Sequence, residues 1–319
     1  MIQKPADFYA QLRAIFPFLA TEKQDILLKM LSNFIFDVNK ESLFLLKGYA
    51  GTGKTTTIST FVNSLKFAGK KAVLLAPTGR AAKVISVYSN RPAFTIHKKI
   101  YFPKKQSNAS ISFVLQQNKH TNTIFIVDEA SMIPDEKQHQ NSFEATSLLD
   151  DLISFVYSSE NCKLLFIGDT AQLPPVKLTV SPALDSEILT HHYYKDVKEI
   201  ELDEVMRQHE NSGILFNATQ LRKLIQNDGN PFQFHLKFPD IRKLEDGYDI
   251  EDAIMDAYNS NGVEDTAFIV RSNKRANEYN QQIRMQIRGQ ENTISAGDYI
   301  MVVKNNYFWL DETSPAGFI

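Results

Sequence analysis

Cysteine is nearly missing from this chain: of 319 residues only Cys162 carries a thiol. No disulfide can form within the chain, which suits a reducing compartment. Cys162 stands beside Lys163 at the head of an apolar run, where core packing is its expected role. An excess of one charge is lacking too. The 35 basic and 37 acidic residues leave a formal net charge of −2, so no global basic field draws in a nucleic acid. Any such partner must be held in a local groove. No stretch of about 18 apolar residues occurs, so a membrane-spanning helix is not expected. The opening MIQKPADFYAQL has no apolar run behind a basic segment, so a secretory signal is not expected and the cytoplasm is the expected location. Repeats at solenoid periods and low-complexity tracts are also missing.

What is present is an alternation. FYAQLRAIFPFL and TEKQDILLKMLSNFIF have apolar residues at near-helical spacing, with Thr21 placed to cap the second. Four short apolar runs follow, LFLLKG, KAVLLAPT, TIFIVDEA and CKLLFIGD, separated by helical stretches. Runs that are apolar throughout predict strands covered on both faces, as in a parallel sheet flanked by helices. Ligands of such sheets bind at the carboxyl ends of the strands. The polar clusters 48–55, 77–80, 128–131 and 168–172 all fall at such ends.

The first of them, GYAGTGKT, fits G-x-x-x-x-G-K-[ST] and follows a strand-like run, the context that the motif requires. Its glycines let the backbone curl around an anion, and the helix that follows offers its positive end to the same anion. Gly48, Ala50, Gly51, Thr52, Gly53, Lys54, Thr55 and Thr56 are therefore expected to bind the phosphates of a nucleotide. Lys54 would reach the β- and γ-phosphates, and the Thr55 hydroxyl would ligate Mg²⁺. In IVDEASM, Asp128 is expected to hold the Mg²⁺ and Glu129 to orient and deprotonate the attacking water. A phosphotransferase acting on a small molecule needs no such base, so the pair favours hydrolysis. In FIGDTAQLPPV, the uncharged amide of Gln172 can donate to a γ-phosphate and accept from water.

LLKGYAGTGKTTT, LLAPTGRAAKVI, IVDEASM, FIGDTAQLPPV and LDEVMRQ, in that order, resemble the motifs of superfamily 1B DNA helicases of the RecD-like and Pif-like group. The resemblance covers most of residues 20–210. It implies two RecA-like domains with ATP·Mg²⁺ in the cleft between them, and movement 5′ to 3′ on single-stranded DNA. It further implies that Gln24 reads adenine and that Arg207 reaches the γ-phosphate. Pro77, Thr78 and Arg80, and likewise Thr95 and His97, would contact the DNA strand. Arg271, Asn273 and Lys274 resemble the opening motif of a second domain.

The expected organisation is an α/β P-loop fold. It has an N-terminal helical segment (1–40), a RecA-like ATP-binding domain (41–87 and 122–210), an inserted subdomain (88–121) and an incomplete second RecA-like domain (211–319). The insert mixes lysines with aromatics, suggests a hairpin near 110–117, and could place Tyr101 and Phe102 as a strand-separating wedge. The second domain is suggested by AFIVRS, KRANEYNQQIRMQIR and DYIMVVKNN, which read as strand, helix, strand. Two later family signatures, an H-K-x-Q-G-like stretch and a Y-x-A-x-[ST]-R-like stretch, do not occur after Arg207. The chain is accordingly expected to be a truncated form that binds ATP·Mg²⁺ and hydrolyses it slowly. The alternatives are a nucleotide-gated nucleic-acid-binding module without motor activity and a ring-type remodelling ATPase.

Overall fold

The computed structural model describes residues 1–105, 111–135, 147–175, 178, 181–204, 212–226 and 231–300. The chain divides into two compact units, Met1–Glu210 with Arg222–Gly229, and Asn211–Leu221 with Asn230–Ile319.

In the first unit α1 (Pro5–Ile15) and α2 (Glu22–Phe36) precede β1 (Ser42–Gly48). α2 begins in a capping box. The Thr21 hydroxyl accepts from the Gln24 backbone N–H at 3.3 Å, and Gln24 Oε1 accepts from the Thr21 N–H at 3.2 Å. Then come α3 (Lys54–Ser64), β2 (Lys71–Ala76), α4 (Gly79–Ser89), β3 (Ala93–Thr95) and α5 (Ile96–Ile100). A two-stranded hairpin, β4 (Tyr101–Lys105) and β5 (Ile111–Leu115), leads to β6 (Thr123–Val127). α6 (Leu148–Tyr157), β7 (Lys163–Gly168), α7 (Ser186–His191) and β8 (Asp196–Leu202) complete the unit's sheet.

The six strands run β3-β2-β6-β7-β1-β8, all parallel. Alternation within each strand builds two cores. Leu43, Leu45, Phe125, Val127, Leu164 and Phe166 face α5 and α6 on one side. Phe44, Leu46, Ile124, Ile126, Leu165 and Ile167 face α1, α2 and α3 on the other. Each central strand therefore reads as apolar throughout, although its residues divide between two faces. β1 leads to β2 on one side and β7 leads to β8 on the other. Neighbouring strands thus send their connections in opposite directions, and a crevice opens at their carboxyl ends.

Two strands escaped the sequence reading. β8 (DVKEIEL) is an edge strand, only partly buried, and its charges hide it. β3 is three residues long and falls inside the stretch assigned to the insert, so 93–95 belongs to the main sheet. The expected hairpin is present, with Phe102 opposite Val114.

α8 (Gly213–Gln226) belongs to the second unit up to Leu221 and to the first from Arg222 on; it starts under Asp240, whose carboxylate accepts from the Gly213 and Ile214 N–H groups at 2.8 and 3.2 Å. α9 (Gly247–Ser260) and α10 (Asn273–Gln282) follow. The helix expected near 274–288 is there, but among the described residues neither AFIVRS nor the start of DYIMVVKNN forms a strand. A strand holds its hydrogen bonds only against a neighbour, and this unit's described residues contain no second strand to supply one. Among the described residues no helix is long and apolar enough to cross a membrane.

Candidate nucleotide-binding site

The loop between β1 and α3 makes its turn through two left-handed glycines, Gly51 (φ 81°) and Gly53 (φ 84°). Gly53 is the residue before α3, and a Cβ there would stand 2.4 Å from Gln24 Nε2. Gln24 is buried, and its Nε2 donates to the Thr52 carbonyl at 3.0 Å, tying α2 to the loop. Each end of its amide makes one bond, which leaves one Nε2 hydrogen and one Oε1 lone pair for an adenine edge.

Lys54 Nζ donates to the carbonyls of Gly48 (2.6 Å) and Tyr49 (2.7 Å), folded back over the loop it belongs to. Burial pulls its ammonium below the ordinary lysine value, while the carboxylates of Asp169, Asp128 and Glu129 oppose that shift. Asp128 ends β6, and burial raises its carboxyl to about 6. The Glu129 N–H, 2.9 Å from Asp128 Oδ1, works against that rise, and the Glu129 charge adds to it. Glu129 itself adopts a left-handed conformation (φ 54°), an uncommon one for a residue with a side chain, and it opens the 3₁₀ turn Ala130–Met132. After β7, Gln172 Oε1 accepts from the buried Ser131 hydroxyl at 2.9 Å.

These groups converge. Gln24, Gly51, Gly53, Lys54, Thr55, Thr56, Asp128, Glu129, Asp169 and Gln172 line one cavity of about 790 Å³, with Phe16, Pro17, Phe18, Val84 and Tyr88 forming an apolar flank. The donor set suits Mg²⁺ and a phosphate chain. The loop supplies the Lys54 cation and a turn through two left-handed glycines, and Thr55 with Asp128 supplies a hydroxyl and a carboxylate. Among the described residues no cluster of three or more His, Cys, Asp or Glu side chains exists to hold a metal by protein alone.

Other expected residues are placed differently. Thr78 caps α4, accepting from the Ala81 N–H at 3.2 Å; Pro77 precedes it half-buried and Arg80 is exposed. Thr95 is buried and spends its hydroxyl capping α5 on the Lys98 N–H at 3.2 Å. His97 is half-buried, with burial pulling its imidazole below the ordinary histidine value, and its ring lies 5.7 Å from that of Tyr101. Tyr101 and Phe102 part company because adjacent strand residues face opposite sides. Tyr101 donates its hydroxyl to Asp151 at 2.6 Å and anchors the hairpin on α6, whereas Phe102 is 53% exposed. Asn273 opens α10 in the second unit, exposed. Arg207 lies outside the described residues.

Sequence reasoning missed three features of the site. They are the Ser131–Gln172 bond, the aromatic flank Phe16–Phe18, and Arg222, whose guanidinium sits 4.8 Å over the Tyr49 ring. Residues far apart in the chain give no periodic signal of meeting.

Residues 36–227 match the AAA domain family. An uncharacterized protein of Acanthamoeba polyphaga mimivirus is 30% identical over 209 residues, 58% of this chain and 38% of that one. The ATP-dependent DNA helicase dda of Enterobacteria phage T4 is 31% identical over 180 residues, 56% of this chain and 37% of that one. The ATP-dependent RecD2 DNA helicase of Deinococcus radiodurans is 31% identical over 135 residues, 42% of this chain and 16% of that one. The chain thus spans well under half the length of these curated relatives. With the family matched over more than half of its length and the phosphate-loop motif lining one cavity, the chain belongs to the AAA domain family.

Proposed function

We propose that this chain carries the ATP-binding core of an ATP-dependent DNA helicase or translocase, which couples hydrolysis to 5′-to-3′ movement on single-stranded DNA. The observation that carries the reading is the convergence of Lys54, Asp128, Glu129 and Gln172 on one cavity at the carboxyl ends of parallel strands. Bound Mg²⁺ supplies polarisation of the phosphoryl oxygens. The chain's own residues do the rest. Lys54 leaves the Gly48 and Tyr49 carbonyls to hold the β- and γ-phosphates, and Thr55 and Asp128 hold the metal. Glu129 takes the proton of the attacking water, and the Gln172 amide meets the γ-phosphate. Gln24 keeps its bond to Thr52 and offers its remaining amide hydrogen and lone pair to the adenine edge. Arg207 adds charge at the transition state, an effect worth ~10³-fold or more in such enzymes.

For the strand, the proposed contacts are Pro77, Thr78 and exposed Arg80 at the start of α4, His97 beside Lys98 and Lys99, and Asn273 in the second unit. Phe102 and Val114, opposite each other on the exposed face of the hairpin, suit stacking on a base or parting of a duplex. Phosphate release from Mg·ATP, measured with and without single-stranded DNA, tests the proposal. Stimulation by DNA that is weakened by Arg80→Ala supports it. Turnover indifferent to DNA, with nucleotide-dependent DNA affinity, would favour a gated binding module instead.

A further inference from the structure

Ser131 and Gln172 belong to different loops, after β6 and after β7, and are 41 positions apart. Ser131 is 1% exposed and sits in the 3₁₀ turn that begins directly after Glu129, so its position is fixed by the strand behind it. That turn is further held by the Ser181 hydroxyl, which donates to the Ala130 carbonyl at 3.4 Å. Gln172, by contrast, is exposed on a loop whose local ties are its own N–H to the Asp169 carbonyl at 3.2 Å and the Ala171 N–H to Asp169 Oδ1 at 2.8 Å. Left to itself, such a side chain presents either end of its amide. The hydroxyl of Ser131 donates to Oε1 at 2.9 Å, which assigns the oxygen to the wall and leaves Nε2, with two hydrogens, for the cavity. Among the described residues no acceptor meets that Nε2.

We propose that Ser131 is a positioning residue that sets the orientation of the Gln172 amide, so that the cavity presents a hydrogen-bond donor to the terminal phosphate of a nucleoside triphosphate and tells it from a diphosphate. The proposal rests on the nucleotide-binding reading above. Without the hydroxyl, Oε1 loses its donor and the amide is free to turn, which aims a carbonyl dipole at an anion. The turn after Glu129 and the loop after β7 then read the same phosphate independently, where the wild type reads it as one unit.

The test is equilibrium binding of ADP and of adenosine 5′-O-(3-thiotriphosphate), each with Mg²⁺, to wild type, Ser131→Ala, Ser131→Thr, Gln172→Ala and the double variant Ser131→Ala/Gln172→Ala. Ser131→Ala is expected to lower the preference for the triphosphate about tenfold, with ADP affinity changed by less than about twofold. Gln172→Ala should lose as much, the double variant no more than either, and Ser131→Thr should restore the preference. Equal losses for ADP and the triphosphate would mark Ser131 as merely structural and overturn the proposal, as would additive losses in the double variant. A wild type that binds neither nucleotide would overturn the parent reading and this one together. A wild type that binds both, matched by an unchanged Ser131→Ala, would overturn only this one.

Discussion

Gln24 Nε2 donates to the carbonyl oxygen of Thr52 at 3.0 Å, so the first turn of α2 holds the phosphate loop in shape before any ligand arrives. The glutamine that the family resemblance assigns to adenine is therefore also a brace. Gln24→Ala is expected to cut the preference for ATP over GTP by roughly tenfold, the worth of one hydrogen bond to a base edge. Competition binding with the two nucleotides measures it. A parallel fall for both would leave Gln24 as a brace only.

Gly53→Ala places a Cβ 2.4 Å from that same Nε2, at a φ of +84°. The left-handed backbone alone costs about 1–2 kcal/mol with a side chain present. Calorimetric titration with Mg·ATP is expected to show affinity reduced by a factor of ten or more. Adding Gln24→Ala relieves the close contact but not the backbone, so it should restore only part of the loss.

Asp128 carries a carboxyl raised to about 6 by burial. Protons and Mg²⁺ compete for its oxygens, so metal-dependent nucleotide affinity should hold above pH 6 and fall as pH drops below it, by up to about tenfold per unit. Asp128→Asn should bind more weakly throughout and lose this dependence. A pH series with and without the metal separates the two.

Lys163, buried in β7, donates to the carbonyls of Phe34 (2.9 Å) and Asp37 (2.6 Å) and lies 5.1 Å from the Phe34 ring. It closes the carboxyl end of α2 in place of a glycine cap. Lys163→Met is expected to cost about 1–3 kcal/mol through the two abandoned carbonyls, with nucleotide affinity unchanged. Burial brings this ammonium down to about 8. The folded chain then releases the proton before the unfolded one does. This group's contribution therefore favours folding as pH rises from about 8 towards the ordinary lysine value, and thermal melts of Lys163→Met should lack that rise.

The central strands were legible because sheets covered on both faces leave a plain apolar signature, as in TIFIV and KLLFI. The P-loop was legible because its chemistry needs residues adjacent in sequence. What was hidden depends on meeting in space. β8 shows its charges because an edge strand is half bare, and β3 is too short for any pattern. The buried role of Lys163 looked like the mere start of an apolar run. Thr95 carried a family motif, and its hydroxyl also caps a five-residue helix, which the motif does not announce. In the second unit AFIVRS has strand-like composition, but composition does not supply the neighbouring strand.

The measurement that bears most directly on the account is phosphate release at saturating Mg·ATP by wild type and Glu129→Gln, with nucleotide binding measured on both. The account predicts equal binding and a turnover lowered by about 10²–10⁴-fold, the contribution of a positioned general base. Turnover that survives Glu129→Gln undiminished, or a wild type that fails to bind the nucleotide, would contradict it.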